Sequence, residues 1–172
     1  MRMECKLRIA GYAKLAKLWE RSRVQSLEYH QRYYNCKYED SDLFELVDVY
    51  VDITGQKETR NRPEMLRLLR DCREGHVDCI ATQTKAYLAA NTGEFCKLIR
   101  YLFDMKRPIH ILTEDGDYNI NTLENNDHQR EELYRMAYRF TEIDPDDYCQ
   151  WINGIELAMD KLTQNEGESY GQ

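Results

Sequence analysis

Residues 47–80 read VDVYVDITGQKETRNRPEMLRLLRDCREGHVDCI, and the reading of this stretch decides the fold. With the preceding Phe44-Glu45-Leu46, residues 44–52 alternate apolar and polar, the period of a strand with one buried face. The polar loop ITGQKETRNR turns about Gly55. A helix follows. Asn61 is placed to cap it, Pro63 suits its first turn, and Glu64 stands three residues beyond the cap. Met65, Leu66, Leu69 and Cys72 give that helix an apolar face, and Gly75 is placed to end it. HVDCIAT, residues 76–82, then reads as another strand. Strand, capped helix and strand in this order predict two parallel strands joined by a crossover.

The flanking sequence extends the pattern in both directions. CKLRIAGYA (5–13) reads as a buried strand. In residues 19–36, Val24, Leu27, Gln31 and Tyr34 share one helical face. Asn91, with Glu94 three residues on, caps a further helix through Phe95, Leu98, Ile99 and Leu102. Pro108 and IHIL (109–112) give a fourth strand, and DGDYNINT (115–122) a loop or short hairpin piece. The expected fold over residues 1–122 is therefore α/β, three layers around a mainly parallel sheet of four or five strands. Beyond residue 122 the strand signals stop. Leu133, Met136, Ala137 and Phe140 mark one amphipathic helix. Asp144-Pro145 starts another, on which Tyr148, Ile152, Ile155, Met159 and Leu162 follow a short heptad seam. Residues 123–164 are expected to pack on the sheet domain or on a partner, and 165–172 to form a disordered tail.

Composition limits the function classes. In this chain of 172 residues, 42% are hydrophobic and 32% charged, a globular balance with room for one core. No apolar run approaches a membrane span, and the start, MRMECKLRIAGYA, lacks the apolar region of a signal peptide. The six cysteines, Cys5, Cys36, Cys72, Cys79, Cys96 and Cys149, form no C-x-x-C and read as reduced thiols of a cytoplasmic protein. The four histidines are scattered, so neither a metal site nor a cofactor is expected. Charge is uneven. Residues 1–122 carry 20 basic and 19 acidic side chains, whereas 123–172 carry 4 basic and 12 acidic. Such a C-terminal segment repels phosphate, so DNA binding is expected to be weak or absent.

In an open α/β sheet, ligands bind beyond the carboxyl ends of the strands. Tyr12–Lys17, Asp52–Arg62 and Thr82–Thr92 should converge there. This succession of segments resembles the N-terminal catalytic domain of the serine recombinases, the resolvase and invertase family, over roughly residues 5–122. The residues that carry the resemblance are Asp52, Gly55, Arg62-Pro63, Gly75 and Asp78, together with SLEYHQRYY (26–34) and NTGEFCKLIRYL (91–102). The resemblance implies DNA strand cleavage and exchange by phosphoryl transfer, with a serine nucleophile and arginines around the phosphate.

The chemistry-bearing positions depart from that pattern. The family's Tyr-x-Arg-x-Ser reads Tyr12-Ala13-Lys14-Leu15-Ala16 here. A methyl group cannot attack phosphorus, and Lys14 lacks the bidentate fork of arginine. The family's second arginine motif corresponds to Tyr87-Leu88-Ala89-Ala90-Asn91, with Tyr87 and Ala90 at the arginine positions. Ser22 lies six residues beyond the strand end, and Tyr87 opens an apolar helix segment, so neither reads as a replacement nucleophile. The family's active-site positions are thus Tyr12, Lys14, Ala16, Asp52, Arg62, Tyr87 and Ala90, with none expected to be active.

Three functions remain open. One is a catalytically inactive interaction or regulatory module. It would form a homo-oligomer, a dimer, or bind an active site-specific recombinase through Leu133, Met136, Phe140, Tyr148, Ile152, Ile155 and Met159. The alternative is a site-specific DNA recombinase of the resolvase type. The third is a small-molecule or nucleotide binder at the strand ends, although no G-x-x-x-x-G-K loop is present.

Overall fold

In the computed structural model, which describes residues 5–124 and 127–170, the alternation of residues 44–52 becomes strand β2 (Phe44–Ile53). It joins β1 (Leu7–Leu15), β3 (Cys79–Thr82) and β4 (His110–Thr113) in a four-stranded sheet of order β2-β1-β3-β4. All three pairings are parallel. Tyr12 of the central strand β1 aligns with Tyr50 on one side and Thr82 on the other. The carboxyl ends of β1, β2 and β3 therefore share one edge.

Helix α1 (Arg23–Tyr38) covers one face of the sheet, where Tyr34 and Tyr38 pack with Ile9, Cys79 and Ala81. Its buried stripe is Ser26, His30, Tyr34 and Tyr38, whereas Val24 and Leu27 face solvent. The face expected from apolar spacing is thus displaced, and Tyr34 alone of its four residues is buried. Gly11 accounts for the displacement. A Cβ there would stand 2.6 Å from the Tyr34 ring, so the missing side chain lets the phenol lie directly on β1. Setting Tyr34 against Gly11 brings His30 and Ser26, one and two turns earlier, onto the sheet.

The larger core lies on the other face. Helix α2 (Pro63–Arg73) supplies Met65, Leu66, Leu68, Leu69 and Cys72; α4 (Thr92–Phe103) supplies Cys96, Leu98, Ile99 and Leu102. A short helix, α3 (Lys85–Leu88), separates β3 from α4. The ends of α2 show how loop residues fix the fold. At its C-terminus Gly75, with φ of 82°, donates to the Cys72 carbonyl while His76 donates to that of Asp71, a Schellman stop. Three residues on, Asp78 accepts from the Arg8 backbone N–H at 2.9 Å and from its guanidinium at 3.1 Å, pinning the start of β3 to β1. Burial works against this carboxylate, but the Arg8 bonds hold it below the usual aspartate range.

At the N-terminus of α2 the expected cap is corrected. Asn61 sits in a short 3-10 turn (Thr59–Asn61), and Arg62 occupies the capping backbone position without a side-chain cap. The capping carboxylate comes from the end of β2: Asp52 accepts from the N–H groups of Glu64 and Met65, each at 2.9 Å. Asn91 does cap α4, its Oδ1 accepting from the Glu94 N–H at 2.9 Å.

Helices α5 (Asp127–Thr141) and α6 (Pro145–Tyr170) complete the same core. Ala137, Ile155 and Met159 are fully buried among α2 and α4 side chains, and Tyr148 is nearly so. Tyr148, Ile155 and Met159 of the heptad seam are thus buried within this chain, and Leu133 and Ile152 also pack against this core. Arg100 of α4 locks the junction. Its guanidinium donates to Thr141 at 2.8 Å, pairs with Glu142 at 2.9 Å, and lies over the rings of Tyr138 and Tyr148. Helix α6 continues to Tyr170, and Arg70 of α2 holds its last turns through Glu166 at 2.8 Å. Residues 171–172 of the expected tail lie outside the described residues.

Candidate functional site

The parallel sheet brings the strand-end residues to one edge, but most of their polar groups turn inward. The Tyr12 hydroxyl donates to Asp52 Oδ2 at 2.9 Å, the same carboxylate that caps α2. Burial pushes the Tyr12 phenol well above its ordinary pKa; the charge of Asp52 adds to the push and that of Arg62 opposes it. Arg62 directs its donors to backbone carbonyls, Nε to Gln56 at 3.1 Å and Nη1 to Tyr87 at 3.0 Å and Leu88 at 3.4 Å. Tyr12, Asp52 and Arg62 are 0%, 3% and 1% exposed. The Thr82 hydroxyl donates to the Tyr12 carbonyl at 2.9 Å and ties β3 into the same cluster.

The other positions stand at the surface. Ala16, the first residue after β1, is exposed, and its carbonyl accepts from the Trp19 N–H as the chain turns toward α1. Lys14 is half-buried beside Asp52 in the strand register. Tyr87 is half-buried in α3, and Ala90 is exposed before the cap of α4. Ala16 offers only a methyl group at its position, and the Arg62 Nε and Nη1 donors are engaged by the protein's own backbone.

Sequence reading missed the histidines on this framework. His30 of α1 is buried and lines a cavity at the strand ends together with Ser22 and Tyr87. His110 of β4 is half-buried, its Nδ1 3.1 Å from the Thr122 hydroxyl. Burial lowers the pKa of both imidazoles, and the charge of Arg130 lowers His110 further. In the unfolded chain they protonate near about 6.5. Below that value the unfolded state binds more protons, so their contribution to stability is complete above it. It is lost as pH falls through the lower folded values. The melting temperature should therefore drop between about pH 7 and 5, and a His30→Gln, His110→Gln double variant should show a shallower drop. A wild-type melting temperature flat across that range would refute the assignment.

The cysteines divide evenly: Cys72, Cys79 and Cys96 are buried, and Cys5, Cys36 and Cys149 exposed, all free. Among the described residues no group of three or more His, Cys, Asp or Glu is placed to hold a metal ion. No helix among them is long and apolar enough to cross a membrane.

No family model matches this chain, and no curated relative matches it. Solved structures do. The N-terminal catalytic domain of TP901-1 integrase superposes with a TM-score of 0.55 at 14% identity, over 81% of this chain and 97% of that one. A resolvase family site-specific recombinase from Streptococcus pneumoniae gives 0.53 at 13% identity, over 92% of this chain and 99% of that one. The fold is resolvase-like. Identity this low carries the architecture and not the chemistry. Within the resolvase-like fold, Asp52, Gly75 and Asp78 have evident structural work here, because each fixes the end of a helix or strand.

Proposed function

We propose that this chain is a non-catalytic protein of serine-recombinase type that acts through protein contacts, on a second copy of itself or on an active site-specific recombinase. One observation carries the reading: Tyr12, Asp52 and Arg62 are closed into a buried network while an exposed methyl group, that of Ala16, stands at the end of β1. A phosphoryl-transfer site needs the opposite, an open nucleophile with cations aimed at the phosphoryl oxygens. The contact surface is drawn from what the core leaves uncovered. On α5 and the turn after it, Met136, Phe140 and Ile143 are 45%, 39% and 81% exposed. This apolar strip takes the place of the α6 seam as the proposed interface.

Light scattering tests the reading, on the chain alone and mixed with a full-length serine recombinase. A dimer or a mixed complex is expected, and Met136→Asp with Ile143→Asp should abolish it while leaving the circular dichroism spectrum intact. A monomer that captures no recombinase, at high micromolar concentration, would reject it. Chemistry gives a second prediction. On DNA carrying a recombinase crossover site, neither the wild type nor Ala16→Ser should form a covalent protein–DNA adduct. The serine restores an oxygen, but each missing charge-stabilising donor still costs about 10²–10³ in rate. An adduct with either protein would favour the recombinase alternative.

A further inference from the structure

The sheet order places β1 between β2 and β3, and the chain leaves β1 first toward β2 and then returns to β3 on its other side. The point between the carboxyl ends of β1 and β3 is thus a topological switch point, where an open α/β sheet splays its connections and leaves a crevice. A cavity of about 510 Å³ occupies it, bounded by Leu15 at the end of β1, by the start of α1, and by Gln83 and Tyr87 after β3. That volume suits a small organic ligand.

The lining is chemically selective. Three aromatic rings, Trp19, Tyr29 and Tyr87, stand around it, the first two 50% and 58% exposed. Gln25 and Gln83 add two primary amides, each with a donor and an acceptor side by side. His30 is 4% exposed, and its Nδ1 has no hydrogen-bond partner in the protein. Burial keeps this imidazole neutral at ordinary pH. Two serines and one leucine complete the wall, so among the described residues no lining side chain is a carboxylate, ammonium or guanidinium.

We propose that this cavity binds an uncharged, flat nitrogen heterocycle of nucleobase type, stacked on Trp19 and Tyr29 and read along its edge by Gln25 and Gln83, with the His30 ring as part of the wall. Stacking rings match a π face, and a glutamine amide matches the paired donor and acceptor of an adenine edge. Without a cation in the lining, a phosphate group adds nothing to recognition. The proposal goes beyond the contact-module reading and does not rest on it: a monomeric chain would bind the heterocycle equally well.

The test is calorimetric titration of the intact chain with adenosine, with AMP and with a short adenine oligodeoxynucleotide. Adenosine should bind saturably with Kd below about 1 mM, and Trp19→Ala and Gln83→Ala should each weaken it roughly tenfold. Both side chains lie at the cavity rather than in the core, and the melting temperature of each variant confirms folding. AMP should bind no tighter than adenosine. Tighter binding of the oligonucleotide would identify the source as a base presented in a strand, and equal binding a free nucleoside; both agree with the proposal. No saturable heat at about 1 mM adenosine would overturn it. So would unchanged affinity in Trp19→Ala, or AMP binding more than about tenfold tighter than adenosine, since that marks a phosphate site.

Discussion

Arg62→Ala should destabilise the domain by about 3–5 kcal/mol, the loss typical of removing one member of a buried charged network. Such a loss is a large share of the roughly 5–15 kcal/mol that holds a domain folded. The side chain is almost completely enclosed, and its guanidinium satisfies carbonyls from two separate segments, Gln56 in the loop after β2 and Tyr87 and Leu88 in α3. Alanine leaves those carbonyls without a donor and leaves a void the size of the lost side chain. It also removes the charge that opposes Asp52 in its effect on Tyr12. Arg62→Lys should fall between, because an ammonium on a single stem cannot span carbonyls that a planar fork reaches together. Urea unfolding measures both. An alanine variant within about 1 kcal/mol of wild type would mean that the arginine is not structural, and would reopen a role at the strand ends.

Ile155→Ala should cost about 2–5 kcal/mol, and Ile155→Asp should prevent folding altogether. Ile155 has no exposed surface, and its neighbours in the core include Met159 of α6 and side chains of α2 and α4. Leu157, two residues further along α6, is 57% exposed. Leu157→Asp should therefore stay within about 0.5 kcal/mol of wild type. The contrast between opposite faces of one helix separates an intramolecular cap from a subunit interface. If Ile155→Ala changed the oligomeric mass while leaving the unfolding midpoint alone, α6 would be an interface helix after all.

The fold was readable wherever burial and periodicity coincide. The strands were legible because their aliphatic residues sit at the spacing that the sheet buries, and α2 because Pro63 and Gly75 bracket it with residues whose backbone preferences are strong. The face of α1 was not legible. It buries Ser26 and His30 and exposes Val24, an inversion set by the contact between Tyr34 and Gly11, two residues far apart in sequence. The cap of α2 escaped for a similar reason, since Asp52 acts on a helix twelve residues away. Arg62 is the sharper case. In the resemblance its position belongs to the phosphate site, whereas here its Nε and Nη1 hold backbone carbonyls of Gln56, Tyr87 and Leu88, partners that no local pattern records. The apolar seam of α6 was correctly located, but a stripe does not record what covers it.

The order in which the core is closed has a consequence for synthesis. The sheet is complete once His110–Thr113 has been made, yet Ile155 and Met159, which cover the α2 and α4 side of the core, follow more than 40 residues later. At about 5–20 residues per second, translation leaves that apolar surface open for roughly 2–9 seconds. Collapse of a nascent chain takes microseconds, so the sheet and its first helices wait, assembled but uncovered, through many encounters with other nascent chains. A chaperone that shields apolar surface would find its substrate in this interval. A ribosome stalled before residue 145 should hold a chain that binds such a chaperone, and one stalled well beyond residue 170 a chain that does not.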